Sequence, residues 1–549
     1  MPRFLPNRSS FTSHSTIRLL WESLNLPLSA LSSISLQPES PPNDRFLPSS
    51  YKLDHLAQAC IALPTLAAAL LHSARSHTQN SSSSSNINVD SSSKVPTVTI
   101  SARAAALSFV SERVYTLSSR PPPSSWGAIS GLYRARDGGY VRIHGSFVNH
   151  RRALASILGV PVSDSGEVNR EDVARAIGDR WDAEELERVA LGGDAVVVKL
   201  RGPGEEWEGW PVSEKVIGVK RYAVPEEEEG GDLEIRGHFG RYTGSSVGGG
   251  RRPLQGLRVL ELSRVIAAPV AARTLAALGA DVLWVTAPHL PDLPALDIDL
   301  GRGKRSIQLD FRQEEDRLKL LDLVRDADVF LQSYRPGSLE KYGLGPKDLA
   351  AVNPGIVYAN LSAYAEPNDE LNQNNPWATF RGFDSLVQTC SGMNVSEAEH
   401  FAAASTSPGE KNVPSVPARV LPCQALDHGA GYLFASGILA AIYHRDFVSD
   451  GFGAYKVDVS LAGVMKYLQS LGQYDGASGF QVADPVPQQY PLGPKQGQKT
   501  GWAEDLWETK QSGFGDLRAV KYPGSIDGCE VGWDVMPKKL GSDEPEWLD

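Results

Sequence analysis

Cysteine is scarce. Four residues, Cys60, Cys390, Cys423 and Cys529, are spread over 549 positions, and no two form a C-x-x-C pair. This excludes a disulfide framework and fits a reducing compartment. The eleven histidines fall into no metal-ligand spacing and H-E-x-x-H is absent, so no metal is expected. Long hydrophobic runs are missing too. The longest, Ile61 to Leu71, is too short to span a bilayer, and no membrane partner is expected. Positive charge is in the minority: 54 Lys and Arg against 65 Asp and Glu leave a net charge of −11. A nucleic-acid partner needs a basic face and is disfavoured, although a local basic pocket for a phosphorylated ligand remains compatible.

The first twenty residues, MPRFLPNRSSFTSHSTIRLL, hold no acid. That is a weak likeness to a mitochondrial transit peptide, and a ragged terminus leading into a first helix explains it better. A cytoplasmic location is expected, with a mitochondrial one as the alternative. Trp547-Leu548-Asp549 is not a peroxisomal address.

With 41% hydrophobic residues, the chain has the composition of a globular protein and the length for several domains. Residues 73–95 are a Ser/Asn-rich insert expected to be disordered. Residues 225–252 combine acids, glycines and proline and read as a linker. The chain is therefore expected to divide near 250. Beyond it, GLRVLEL (256–262) predicts a strand, APVAARTLAALGA (268–280) a helix and ADVLWV (280–285) a second strand. This is a βαβ unit and implies a parallel sheet. SIQLDF (306–311), EEDRLKLLDLVRDA (314–327), DVFLQS (328–333) and GIVYANLSAY (355–364) continue it. The fold class expected is α/β, a Rossmann-like doubly wound sheet. SRVIAAP follows the first strand in place of G-x-G-x-x-G, so a dinucleotide site is disfavoured. In the first half, LYRARDGGYVRIHG (132–145) predicts a hairpin over Asp137-Gly138. Helices are expected at 168–178 and 183–191 and a strand at 194–200.

Two stretches echo each other. KLDHLAQACIALPTLAAALLHS (52–73) matches ALDHGAGYLFASGILAAIYHR (425–445), and VPTVTISARAAALSFV (95–110) matches AYKVDVSLAGVMKYLQ (454–469). Two matched segments in one order point to a decayed duplication. Asp427 precedes a long apolar helical run and reads first as a helix cap, because a helix N-terminus favours an anion.

Five ordered segments between about 253 and 475 carry a family resemblance: GLRVLELSRVIAAPVAARTLAALGADV, GRGKRSIQLDF, ADVFLQSYRPGSLEKYGLGPKDLAAVNPGIVYANLSAY, RGFDSLVQTCSG, and ALDHGAGYLFASGILAAIYHR with YKVDVSLAG. They resemble the family III CoA-transferases, the CaiB/BaiF family. The resemblance implies a Rossmann-like domain at 253–475 with a smaller α+β domain. It makes 1–245 a partial first copy carrying the small hairpin domain, and leaves 476–549 as a loop-rich tail. It also implies either a homodimer or a pseudo-dimer within one chain. The substrates implied are an acyl-CoA, with coenzyme A as thioester, and a carboxylic acid.

The resemblance makes Asp427 the nucleophile, passing through an aspartyl mixed anhydride and an enzyme–CoA thioester. Gly429 and Gly431 are expected to give the thioester room and N–H groups for an oxyanion. Val265, Ile266, Ala267, Arg302, Lys304, Arg305, Ser333, Tyr334, Arg335 and Lys341 are the CoA contacts it implies. Asp54 reads as the non-catalytic copy. Two alternatives stand: an acyl-CoA racemase, and a non-catalytic CoA-binding homologue. The racemases carry a Gly-His-Asp segment where Gly382-Phe383-Asp384 stands here, and Phe383 cannot shuttle a proton. The non-catalytic reading requires Asp427 to be walled off from any cleft.

Overall fold

The computed structural model describes residues 5–37, 45–80, 95–124, 126–205, 215–221, 252–365, 372–373, 375–405, 417–448, 452–487, 502 and 504–548. Arg258–Leu262, Asp281–Thr286, Lys304–Gln308, Val329–Gln332, Val357–Ser362 and Tyr455–Ser460 form one parallel sheet. Counted along the chain, these strands lie in the order 3-2-1-4-5-6. Ile217–Arg221 adds an antiparallel edge against Tyr455–Ser460. Val329–Gln332 is buried at every position, as a strand inside a parallel sheet must be. This explains the short, near-continuous apolar runs in the sequence.

The helix Ala425–Phe447 is buried along nearly its whole length. Its small residues allow this. A Cβ placed on Gly431 would lie 2.4 Å from the carbonyl oxygen of Ala267, so only glycine lets this helix approach the helix Ala267–Ala277. By length and composition this helix and Leu53–Ser76 could each cross a membrane, but both lie inside the protein core.

Two parts of the chain share an order of elements. Ile34–Gln37, the helix Leu53–Asn80, Val98–Ser101 and the helix Ala102–Ser108 follow one another, with the two strands parallel. Val357–Ser362, Ala425–Phe447, Tyr455–Ser460 and the helix Leu461–Ser470 come in the same order, with the helices Asp384–Cys390 and Met393–Ser405 inserted after the first strand. The matched helix starts are capped alike. Ser101 Oγ accepts the Ala104 N–H at 3.3 Å, and Ser460 Oγ accepts the Gly463 N–H at 3.1 Å. The two long helices pack together, and a Cβ on Gly429 would stand 3.4 Å from Leu56 Cδ2. Each of these residues is two positions beyond its Asp.

The predicted hairpin is present as Gly131–Arg134 and Tyr140–Ile143, joined by Val197–Lys199. Gly138 adopts φ +82° in its turn, a conformation glycine takes without strain. Helices Val148–Leu158, Arg170–Arg180 and Ala183–Leu191 complete this small domain, which has its own core around Val141, Leu154, Ile177 and Leu186.

Three expectations change. The main core does not divide near 250: one cluster holds Trp21, Leu56, Phe434 and Trp533, because the helices of both halves face each other. The C-terminal region is not loop-rich throughout. Trp507–Ser512, Gly515–Val520 and Gly524–Ile526 are strands, pairing back to Thr116–Leu117 and Val98–Ser101. Of the insert expected at 73–95, residues 73–80 continue a helix, whereas 81–94 lie outside the described residues. The expected linker lies almost wholly outside them too, since 222–251 are not described.

Candidate active site

Parallel sheets place ligands beyond the carboxyl ends of their strands, where the strand order reverses. Here the reversal falls between Arg258–Leu262 and Val329–Gln332. A cleft of about 210 Å³ opens there. Val265, Ile266 and Ala267 line it after the first strand, Ser333, Tyr334 and Arg335 after the fourth, and Asp427 from the start of its helix. The structure thus brings seven of the expected site residues to one place.

Val265 has φ +73°. A β-branched residue in that region costs about 1–2 kcal/mol, and such strain concentrates at functional sites. Behind it, Ile266, Ala267 and Ala268 line the cleft where the helix Ala267–Ala277 begins. The backbone N–H groups of Ala267 and Ala268 have no acceptor within the helix.

Asp427 is not the cap of its helix. Asp384 does that work: its Oδ2 accepts the backbone N–H of Leu426 at 2.8 Å and of Asp427 at 3.0 Å, and Gln388 donates to its Oδ1. Among the described residues, no hydrogen bond or ion pair reaches the Asp427 carboxylate. Burial first, then the nearby carboxylates of Asp384 and Glu112, push Asp427 well above the usual carboxylate range. Burial raises Asp384 too, to about 7, but the N–H groups it accepts favour its charged form over that of Asp427.

The other Leu-Asp-His copy differs. Asp54 is buried away from the cleft, and its oxygens accept the N–H groups of Phe46 at 3.1 Å and Leu47 at 3.3 Å. His428 faces away from the cleft. Its Nε2 lies 3.0 Å from Glu112, and its ring stacks on Phe109.

Six expected site residues are elsewhere. Gly429 and Gly431 do not line the cleft. Gly429 packs on Val464 and Leu56, Gly431 on Ala267 and Val270, so their role is close helix packing. Arg302 is buried against Asp299 at 2.5 Å and the Val520 carbonyl at 2.6 Å. Lys304 borders a separate cavity of about 350 Å³, but its ammonium is tied to Glu261 at 2.8 Å and to the Pro269 carbonyl. Arg305 pairs with Asp281 at 2.8 Å. Buried guanidinium and ammonium groups need such partners, and Gly-Arg-Gly-Lys-Arg proves to be a turn at 301–303 leading into the strand Lys304–Gln308, with its cations tied inside. Lys341 is exposed and lies over Tyr342.

The sequence reading missed the far wall. Phe147, Asn149 and His150 reach the cleft from the small domain, with Arg264 and Arg381 beside them. Phe383 stacks on His144, ring centroids 3.6 Å apart. Arg264 could have been noticed, since it precedes the Val-Ile-Ala segment; the others come from more than a hundred residues upstream or from an unpatterned loop.

Residues 254–494 match the family model of CoA-transferase family III. A probable fatty acyl-CoA transferase of Mycobacterium tuberculosis is 34% identical over 208 residues, 36% of this chain and 48% of that protein. An acetyl-coenzyme A transferase of Hypoxylon pulicicidum is 28% identical over 359 residues, 63% of this chain and 55% of the relative. A formyl-CoA:oxalate CoA-transferase of Streptomyces coelicolor is 27% identical over 317 residues, 54% and 70%. The chain spans about half the length of the first two of these relatives.

Proposed function

From the premise that residues 254–494 are a family III CoA-transferase segment, we propose that this chain moves coenzyme A between an acyl-CoA and a carboxylic acid, with Asp427 as nucleophile. The observation that carries this reading is an unpaired aspartate in a cleft at the switch point, while neighbouring Asp384 and the sister Asp54 are both engaged. A walled-off aspartate would favour a non-catalytic protein; this one lines a cleft. The strand order supports a Rossmann-like reading of the sheet. The recurrent strand–helix–strand–helix units support an internal duplication that packs as a pseudo-dimer.

The chemistry balances without a metal or redox partner. A carboxylate oxygen of Asp427 attacks the thioester carbonyl, the C–S bond breaks and CoA thiolate leaves, giving a mixed anhydride. The thiolate attacks the aspartyl carbonyl and displaces the carboxylate product, giving an aspartyl–CoA thioester. The acceptor carboxylate attacks that thioester and expels the thiolate, giving a second anhydride. Thiolate attack on its acyl carbon yields the new acyl-CoA and restores Asp427. Dividing the exchange in this way lowers each barrier. The N–H groups opening the helix Ala267–Ala277 take the oxyanion role first expected of Gly429 and Gly431. Ser333 and Tyr334 line the path of the pantetheine arm. A racemase reading needs a second proton carrier, and Phe383 with its stacked, buried His144 supplies none at that position.

Intact-protein mass after incubation with a panel of acyl-CoAs and hydroxylamine tests the mechanism. An aspartyl hydroxamate that appears in wild type and Asp54→Ala but not in Asp427→Ala supports it. Absence of any adduct, with CoA still bound, would replace it with the non-catalytic reading.

A further inference from the structure

The cavity that Lys304 borders, about 350 Å³, is larger than the catalytic cleft, and no cleft residue lines it. A gap of about 10 Å³ lies between them, sharing Trp284 and Asp297 with the cavity and Val265 and Tyr334 with the cleft. The helix Pro294–Leu300 supplies Ile298 to one wall, the edge strand Lys304–Gln308 supplies Ser306, and the C-terminal tail supplies Lys538, Lys539 and Leu540. The tail is clamped to that strand. Ser306 Oγ accepts the Gly541 N–H at 3.1 Å, and the Ser306 N–H donates to Asp543 Oδ2 at 2.8 Å. Phe514, 45% exposed at the turn between Trp507–Ser512 and Gly515–Val520, adds an aromatic rim. Most of the charges around the cavity are already offset. Lys304 is tied to Glu261. Asp292 is countered by Arg264. Asp297 accepts the Leu293 N–H at 3.1 Å, and burial, then Asp292, push it up to about 7. Lys538 pairs with Asp543 at 2.7 Å. Lys539 is exposed and has no ion pair among the described residues.

We propose that this cavity is a second ligand site, separate from the nucleophile, and that it takes a free apolar monocarboxylic acid. The carbon skeleton lies against Trp284, Ile298, Phe514 and Leu540, and the carboxylate meets Lys539 with Lys538 beside it. Small-molecule sites have this composition, an apolar lining with a few polar groups that fix orientation. A lysine ammonium gives a carboxylate charge-assisted hydrogen bonds, and Lys539 has no competing acid among the described residues. An apolar cavity of about 150 Å³ holds benzene, so this one admits about twelve to fourteen non-hydrogen atoms, the size of decanoate. The proposal does not depend on the role of Asp427, because binding is read without turnover.

Calorimetric titration of the full chain with decanoate and with decylamine, which share a chain length and differ in the sign of the headgroup, tests the proposal. Decanoate is expected to saturate one site and to bind about tenfold tighter than decylamine. Lys539→Glu should bring the two ligands within about twofold of each other. Ile298→Trp fills the cavity and should weaken decanoate at least about tenfold. Phe514→Asp, at an exposed position, should weaken it several-fold and covers the case in which Ile298→Trp fails to fold. Arg335→Glu, at the mouth of the catalytic cleft, should leave decanoate binding unchanged. No saturable binding of decanoate overturns the proposal, as does undiminished binding in the Ile298 and Phe514 variants. A preference for decylamine in wild type would overturn it in favour of a cation held by Asp292 and Asp297. Loss of decanoate in Arg335→Glu would place the acid in the catalytic cleft instead.

Discussion

Asp384 Oδ2 accepts the backbone N–H of Asp427 at 3.0 Å. One carboxylate thus caps the helix whose first turn presents the other. The capping leaves Asp427 without a structural duty and raises its proton affinity, because two buried carboxyl groups so close do not both ionise readily.

Replacing Asp384 with Ala removes the oxygen that receives both N–H groups and should cost about 1–2 kcal/mol, the range for a lost helix cap. Thermal unfolding measures that loss. Hydroxylamine trapping at Asp427 should fall by a larger factor than stability alone explains, since the first turn is no longer held.

Asp427→Asn should stabilise the protein at pH 7–8. The folded pKa of Asp427 lies above its unfolded value, so its favourable contribution is complete below about pH 4 and is lost as pH rises through the folded value. Asn keeps the neutral shape at every pH. A higher Tm for the variant at pH 8 than for wild type, with the gap closing near pH 4, is the expected outcome. Trapping in the wild type should rise with pH, because the attacking form is the carboxylate, and its midpoint should lie above that of an ordinary aspartate.

Gly431→Ala places a methyl 2.4 Å from the Ala267 carbonyl oxygen. Backbone must move, at a cost of about 1–3 kcal/mol, and Ile266 and Ala267 at the cleft move with it. Gly429→Ala meets only side chains, at 3.2 Å or more, and should cost less. Urea denaturation of the two variants separates them.

Lys304→Ala leaves Glu261 buried and unpaired, which costs about 3–5 kcal/mol. The double variant Lys304→Met with Glu261→Gln should regain much of that loss. CoA affinity of the refolded double variant, measured by calorimetry, should stay within about threefold of wild type, as befits an internal tie. A drop of a hundredfold would return Lys304 to the ligand site.

Periodicity and turn residues determined much of this protein. Apolar runs of strand length alternating with helical stretches dictated the parallel sheet after residue 256, and Asp137-Gly138 dictated the hairpin, because local sterics and burial act over a few residues. The Leu-Asp-His echo and the segment around Asp427 were equally legible. Tertiary structure decided which charged groups face a ligand. Arg302, Lys304 and Arg305 look on paper like a phosphate loop, yet each meets a buried acid or carbonyl brought by a neighbouring element. Arg264 and His150, 114 positions apart in the numbering, share one cleft only because the small domain folds back over the strand ends. Composition shows how many charges a chain holds. Which of them are neutralised inside, and which remain open to a substrate, depends on long-range packing that no local pattern encodes.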